Sequence, residues 1–464
     1  MFLAEGGGRR GAGGRTRAGA GRATGRTGEL PAIAIRAETG LEAVRHTTLE
    51  GLRDHALAAA GRPGGVPRHG WSRLLGALLA CLLVAACSSP HGRQATATSR
   101  KPSTGPTQRD YWPTAGWRTA APRDQGMDPA VLNDLDTLVP DRYPQVRSLL
   151  VVRHGYLVYE HYWQGFDAAD GHDSDSVTKS VTSALVGIAL GERRLKSLDQ
   201  TVGELLAAHL PKHADRRFAQ VTVQQLLTMT GGLAGDDRST GGDEGLTKRL
   251  FKSRDWVGHI LGRRLADNPG TTFAYSNASS HLLSAIVADT TGQSTLAFAR
   301  SRLFGPLGIN SDNAFEPVIV EPPPAHEQAY EQASVAWPKD PQGYHFGAAW
   351  LKLPARDLAK FGYLYLNGGR WNGTQLIPAD YVRASIQPHS RPHVLDEYGY
   401  GYGYQWWTTR IDLHDSFFAA GLGGQRVQVI PDLDLVVVIT SDARQQRHDA
   451  EYLINETIIP AVTD

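Results

Sequence analysis

Cysteine is nearly absent from this chain: its 464 residues hold two, Cys81 and Cys87, both ahead of residue 88. A body without thiols forms no disulfide, no thiolate metal site and no cysteine nucleophile. Lysine is scarce as well, with nine in the whole chain. The one long apolar run, 74–86, is thirteen residues, short of the twenty or so that a membrane helix needs. Excess charge of one sign is missing too, with 48 Lys and Arg against 47 Asp and Glu. Beyond residue 87 there remain 36 basic and 41 acidic residues, a net of −5, which excludes a basic nucleic-acid footprint. No internal repeat and no G-x-S-x-G elbow occur, and the latter absence argues against an α/β-hydrolase. What the chain does have is 41% hydrophobic residues with 10 Trp, 16 Tyr and 12 Phe, enough for a large core.

The first 70 residues carry 11 Arg, no Lys and Gly/Ala/Arg runs without hydrophobic periodicity, so they bury nothing. Arg73 then precedes the apolar run Leu74 to Ala86 and Cys87, the order of a secretory signal. Val84-Ala85-Ala86-Cys87 resembles the lipobox of bacterial lipoproteins, which implies that Cys87 is the lipidated first residue of the mature protein. The Ser/Thr/Pro-rich stretch that follows reads as a tether. The expected organisation is therefore an untranslated or disordered 1–65, with the true start near Val66; a lipoprotein signal over 66–87; a tether over 88–110; and a globular domain over 111–464. This places the protein on the outer face of the cytoplasmic membrane, held there only by its lipid.

Within the globular part, Gln145 to Val152 reads as a strand, His154-Gly155 as a turn and Tyr156 to Tyr162 as the return strand. Val177 to Leu190 is an apolar helix that Gly191 should stop. Ala355 to Leu366 is amphipathic and closed by Asn367-Gly368. Strands are expected again at Gly401 to Trp407, Phe417 to Ala420, Arg426 to Ile430 and Leu435 to Thr440, with a last helix from Asp449 to Ile459. The expected class is α/β (α+β): one antiparallel sheet built from both chain ends, flanked by helices, with a helical lobe inserted between.

Ser176-Val177-Thr178-Lys179 is the centre of the chemical argument, the single S-x-x-K in the chain. Its spacing puts an ammonium beside a hydroxyl at the positive end of a helix dipole, a place suited to developing anions. An N-cap serine and a solvated lysine would also produce the tetrapeptide. The helix that follows weighs against this: Val177, Val181, Ala184, Leu185, Val186, Ile188, Ala189 and Leu190 make it apolar on nearly all sides. A lysine at the start of a buried helix is costly without work or a partner. The second element is Tyr275-Ser276-Asn277, after Pro269-Gly270. Tyr365-Leu366-Asn367 repeats the spacing but ends a helix, where Asn is an ordinary cap.

Five blocks in order give the chain a resemblance to the serine β-lactamase/penicillin-binding-protein superfamily. They are Ser176-Val177-Thr178-Lys179-Ser180; Val221 to Leu233; Pro269-Gly270 with Tyr275-Ser276-Asn277; Ala355 to Gly362; and Gly421-Leu422-Gly423-Gly424-Gln425. The resemblance covers about residues 115–460. Within that superfamily the chain most resembles the class C-like branch of esterases, D-peptidases and 6-aminohexanoate-dimer hydrolases, and the last block tilts the resemblance toward the 6-aminohexanoate-dimer hydrolases. The resemblance implies a β-lactamase/transpeptidase-like fold and a set of roles: Ser176 as nucleophile forming an acyl-enzyme, and Lys179 and Tyr275 as one proton relay with the base open between them. Asn277 would orient Lys179 and the substrate. The Ser176 N–H and one near Gly421-Leu422 would receive the oxyanion.

The sequence departs from the family at the third motif. Phe418-Ala419-Ala420-Gly421 stands where a strand Lys-Thr-Gly or His-Thr-Gly is common, so no cation is there to meet a penicillin or D-Ala carboxylate. The expectation is hydrolysis of a small amide or ester, or of a peptide, with no metal or organic cofactor. The rival readings are a β-lactamase or D-amino-acid peptidase or carboxypeptidase acting on cell-wall peptides, and a non-catalytic penicillin-binding-like lipoprotein. Other signals are weaker. His326-Glu327-Gln328-Ala329-Tyr330 lacks the second histidine of a zinc-protease motif, and the pairs His209/His213 and His389/His393 each enclose a proline. Gly241 to Gly245 is turn text, and the run Tyr398 to Tyr404 reads as a ligand groove or a packed, glycine-kinked strand.

Overall fold

His154 and Gly155 both take left-handed backbone angles, φ 51° and 87°. They fold strand β1 (Val146–Arg153) back onto β2 (Tyr156–Tyr162), as the turn chemistry predicts. The computed structural model describes residues 109–236, 242–243, 245–319, 327–393, 399–442 and 450–464. The leader, Cys81, Cys87 and nearly all of the tether lie outside the described residues, as do His326 and parts of the Gly241 and Tyr398 runs.

Nine further strands follow: β3 (Gly171–Asp173), β4 (Lys352–Pro354), β5 (Arg370–Trp371), β6 (Thr374–Gln375), β7 (Gly401–Tyr402), β8 (Trp407–Ile411), β9 (His414–Gly421), β10 (Gln425–Ile430) and β11 (Leu435–Ser441). The main sheet has the order β2-β1-β11-β10-β9-β8-β7 and is antiparallel throughout. Both chain ends build it, as expected: β11 pairs with β1 on one side and β10 on the other. In fold the chain is α/β of the β-lactamase/transpeptidase type.

Period-two alternation splits the sheet residues between two cores. Leu150, Val152, Val427, Val429, Val436 and Val438 face the core shared with the Val177–Gly191 helix and the inserted helices. Leu149, Val151, Ile430, Val437 and Ile439 face the other core, capped by the Pro129–Arg142 helix and the C-terminal segment from Ala450. The Val177–Gly191 helix is buried from Val177 through Ala189, which accounts for its all-round apolar text.

Two boundaries differ from expectation. Gly191 does not stop the helix but ends it in helical geometry; the left-handed residue is Arg193, at φ 59°. The strand expected over 401–407 is broken, because Gln405 turns to φ 61° and Gly403 N–H donates to the Trp406 carbonyl (2.8 Å). The Gln405 side chain supplies the reason. Its Oε1 accepts from Ser280 Oγ (2.7 Å) and its Nε2 donates to the Leu226 and Leu227 carbonyls, tying two helices of the helical lobe, Asn277–Thr291 and Val223–Leu227, to this turn.

Candidate active site

Asp175 stands at φ 44°, and the chain turns there into the helix that begins at Val177. The turn is pinned from behind. Ser174 donates through both N–H and Oγ to the Leu351 carbonyl, and Thr178 Oγ1 accepts from Leu351 N–H (3.0 Å). Ser176 therefore sits at the helix N-terminus, yet its hydroxyl caps no helix N–H. It accepts instead from Lys179 Nζ at 2.9 Å. The N-cap alternative for this serine is thus set aside by geometry.

Lys179 is 1% exposed. Its ammonium has three N–H bonds and three acceptors: Ser176 Oγ, Asn277 Oδ1 (2.7 Å) and the Ala348 carbonyl (2.8 Å). Nζ also lies 4.8 Å from the centre of the Tyr275 ring. A charge this deep is held only where all its donors are met.

Tyr275 and Asn277 come from the start of the Asn277–Thr291 helix, whose N-cap is Ser276, its Oγ accepting from Ser279 N–H. The Tyr275 ring is wedged in a stack, 5.7 Å from Trp407 at 20° and 6.0 Å from Tyr402 at 82°. Tyr402, from the tyrosine run, is thus a buried support for Tyr275.

The structure adds one residue that sequence reading missed. Asp236 is 4% exposed and its Oδ1 accepts the backbone N–H of Asn277 (2.8 Å). Its Oδ2 accepts from Thr247 Oγ1 (3.0 Å), which in turn accepts from Asn277 Nδ2 (3.2 Å). Asn277 is thereby held with Oδ1 toward Lys179. Burial raises the Asp236 pKa, opposed by the Asn277 N–H, the Lys179 charge and Thr247. A carboxylate at a helix N-terminus was in principle findable, but Asp236 lies 41 residues from Asn277 in loop text.

Gly421, the last residue of β9, packs directly on the turn. A Cβ there would stand 2.4 Å from the Ser174 carbonyl oxygen and 3.0 Å from Ser176 N. This contact brings the next N–H, that of Leu422, beside that of Ser176. Both donate to one oxygen, Asp175 Oδ1, at 3.3 and 2.6 Å respectively. Two converging backbone donors at a helix N-terminus make an anion cradle.

A second carboxyl stands behind it. Asp173 Oδ1 accepts the Asp175 N–H (2.8 Å), and burial first, then the Asp175 charge, pushes the Asp173 pKa up to about 7. Arg426, the nearest basic residue to the third motif in sequence, projects from the sheet face that carries Phe418 and, one strand further, Trp407, the ring stacked on Tyr275. It shares its side of β10 with Gln428 and Ile430, away from Val427 and Val429. Its guanidinium lies 3.4 Å from the centre of the Phe418 ring and bonds Gln428 Oε1 (2.9 Å).

Of the residues singled out in the sequence, Ser176, Lys179, Tyr275, Asn277, Gly421 and Leu422 thus meet at one place. Among the described residues no cluster of three or more His, Cys, Asp or Glu is arranged to hold a metal ion.

Comparison with known proteins follows the same lines. A 6-aminohexanoate-dimer hydrolase of Paenarthrobacter ureafaciens is 25% identical over 351 residues, covering 70% of this chain and 81% of that protein. In structure the chain is similar to an octameric penicillin-binding protein homologue from Pyrococcus abyssi (TM-score 0.53, 20% identity, covering 72% of this chain and 78% of that one). It is also similar to EstCE1, a hydrolase with promiscuous acyltransferase activity (TM-score 0.55, 17% identity, covering 71% and 97%). The sequence model of the Beta-lactamase family matches residues 146–457, about two thirds of the chain, and the chain belongs to that family of hydrolases.

Proposed function

We propose that this protein is a serine hydrolase that cleaves a linear amide or ester through an acyl-enzyme on Ser176. One observation carries the reading. A serine hydroxyl excused from capping stands between a buried ammonium 2.9 Å away and a pair of N–H groups aimed at a single oxygen. Those are the two things acyl transfer needs, a route for the serine proton and a home for the oxyanion.

In the first step Ser176 Oγ attacks the acyl carbon and its proton passes to the Tyr275–Lys179 pair. The acyl oxygen becomes an oxyanion, held by the Ser176 and Leu422 N–H groups. Lys179 Nζ stands 2.9 Å from Ser176 Oγ and 4.8 Å from the centre of the Tyr275 ring, so the two side chains act as one relay for the serine proton. Collapse expels the amine or alcohol, which takes that proton. Water then attacks the acyl-enzyme, its proton enters the same relay, and Ser176 Oγ leaves with a proton returned. Asn277, fixed by Asp236 and Thr247, keeps Lys179 in line.

The charge around the cradle favours a neutral linear substrate over a β-lactam or a D-Ala terminus. Asp175 stands in the cradle itself, and the Arg426 guanidinium is engaged by the Phe418 ring and Gln428 Oε1. A carboxylate on the acyl donor would meet repulsion there. The name of the 6-aminohexanoate-dimer hydrolase relative agrees with an amide substrate of this kind. The same proposal sets the enzyme outside the cytoplasmic membrane on a lipid at Cys87, supported by the composition of the leader.

The test is the intact mass of the full-length protein after exposure to a fluorophosphonate probe, with Ser176→Ala beside it. One adduct on wild type and none on the variant is the expected result. No adduct on either would replace this reading with that of a substrate-binding lipoprotein.

A further inference from the structure

The anion cradle beside Ser176 is occupied by the protein itself. We infer that Asp175 is a gate on this cradle: its carboxylate sits where the substrate's acyl oxygen has to go and must swing out before Ser176 is acylated. The inference rests on the hydrolase reading above, and it goes further by naming a residue that sets how much of the enzyme is competent.

The backbone of Asp175 is locked. Its N–H donates to Asp173 Oδ1 (2.8 Å), and its carbonyl accepts from both the N–H (3.1 Å) and the Oγ1 (2.6 Å) of Thr178. The side chain is not part of that lock. Its Oδ1 contacts are the Ser176 and Leu422 N–H groups, so rotation about the Cα–Cβ bond empties the cradle without moving the turn.

The competition is unequal. A carboxylate accepting from N–H groups forms a charge-assisted bond about twice as strong as that of a neutral carbonyl. In the ground state the gate therefore holds against a substrate carbonyl, and reaction proceeds through the fraction of molecules in which it is open. A non-glycine residue at φ 44° is strained, so the carboxylate is kept in a backbone geometry that glycine would adopt freely.

Asp175→Gly removes the gate at a φ that suits glycine, and Asp175→Asn keeps the shape and an acceptor oxygen but drops the charge. The measurement is the second-order rate of fluorophosphonate labelling of the full chain, with kcat/KM for p-nitrophenyl acetate, each corrected with a Ser176→Ala background. Asp175→Gly should react at least tenfold faster than wild type, with Asp175→Asn between them. Equal or slower reaction of a folded Asp175→Gly overturns the gate while leaving Ser176 as nucleophile. If the Gly variant does not fold, an Asn variant no faster than wild type overturns the gate equally. No reaction in wild type or either variant overturns the hydrolase reading itself, and the gate falls with it.

Discussion

Substituting Gly421 by alanine adds one methyl group, and the structure says where it lands. Gly421 has no left-handed φ, so alanine fits its backbone and the whole effect is spatial. The new Cβ would lie 2.4 Å from the Ser174 carbonyl oxygen and 3.0 Å from both Asp175 Cβ and Ser176 N. An ordinary contact needs about 3.4 Å, so β9 and the Ser174–Ser176 turn must part by about 1 Å. The turn cannot yield easily, since Ser174 is tied twice to Leu351. The two cradle donors sit on opposite sides of this seam and move apart with it. Loss of one oxyanion donor lowers kcat by about 10²–10³, and a misplacement near 1 Å costs about 10²-fold by itself. Gly421→Ala should therefore lower kcat for a p-nitrophenyl ester by about 10²-fold or more, with a far-ultraviolet circular dichroism spectrum unchanged. A folded variant within threefold of wild type would refute the assignment of Leu422 N–H to the cradle.

Four other outcomes follow from the geometry. Lys179→Met should cut turnover by about 10²–10⁴-fold, the usual worth of a positioned acid–base group, with steady-state kinetics as the check. Tyr275→Phe keeps the stack on Trp407 and Tyr402, so it should lose a comparable factor in kcat with its melting temperature unchanged; unaltered kcat would remove Tyr275 from the relay. Asp236→Ala strips two acceptors from a buried site and should destabilise by about 2 kcal/mol in urea denaturation, with kcat falling as Asn277 loosens. Asp173 holds its proton to about pH 7 when folded, against an ordinary value of 3.8, so its contribution to stability is complete below pH 4 and lost as pH rises through 7. The melting temperature of Asp173→Asn should thus fall less between pH 5 and pH 8 than that of wild type, and parallel curves would refute this.

How much of this was readable in the sequence depended on whether the signal was local. The β1–β2 hairpin was, because His154-Gly155 turn chemistry and strand text adjoin. So was the buried helix behind Ser176, whose apolar positions allow no solvent face. The Pro129–Arg142 helix was overlooked: Pro140 breaks its text, although in the structure it lies within the helix. Site residues with a motif spacing, Ser176 to Lys179 and Tyr275 to Asn277, could be named in advance. Asp236 could not, because its importance comes from a contact across 41 residues with a backbone N–H. Asp175 went unnoticed for a different reason. Its character lies in a left-handed φ and a side chain folded back on the next residue, and neither shows in composition or spacing.

The sheet order carries a consequence for how the molecule comes into being. β11 lies between β1 and β10, and β1 meets it across nearly 300 residues, from Val146 to Ser441. Closing so long a loop has to precede the contacts that reward it, so assembly is governed by non-local pairing and is slow. A nascent chain lacking its last strand leaves β1 and β10 without the partner they share. Ser176 comes from the first half of the globular part and the Leu422 N–H from its last fifty residues. The cradle beside Ser176 is therefore completed only late in synthesis, and truncation of β11 should abolish it while leaving the Ser176, Lys179, Tyr275 and Asn277 text intact.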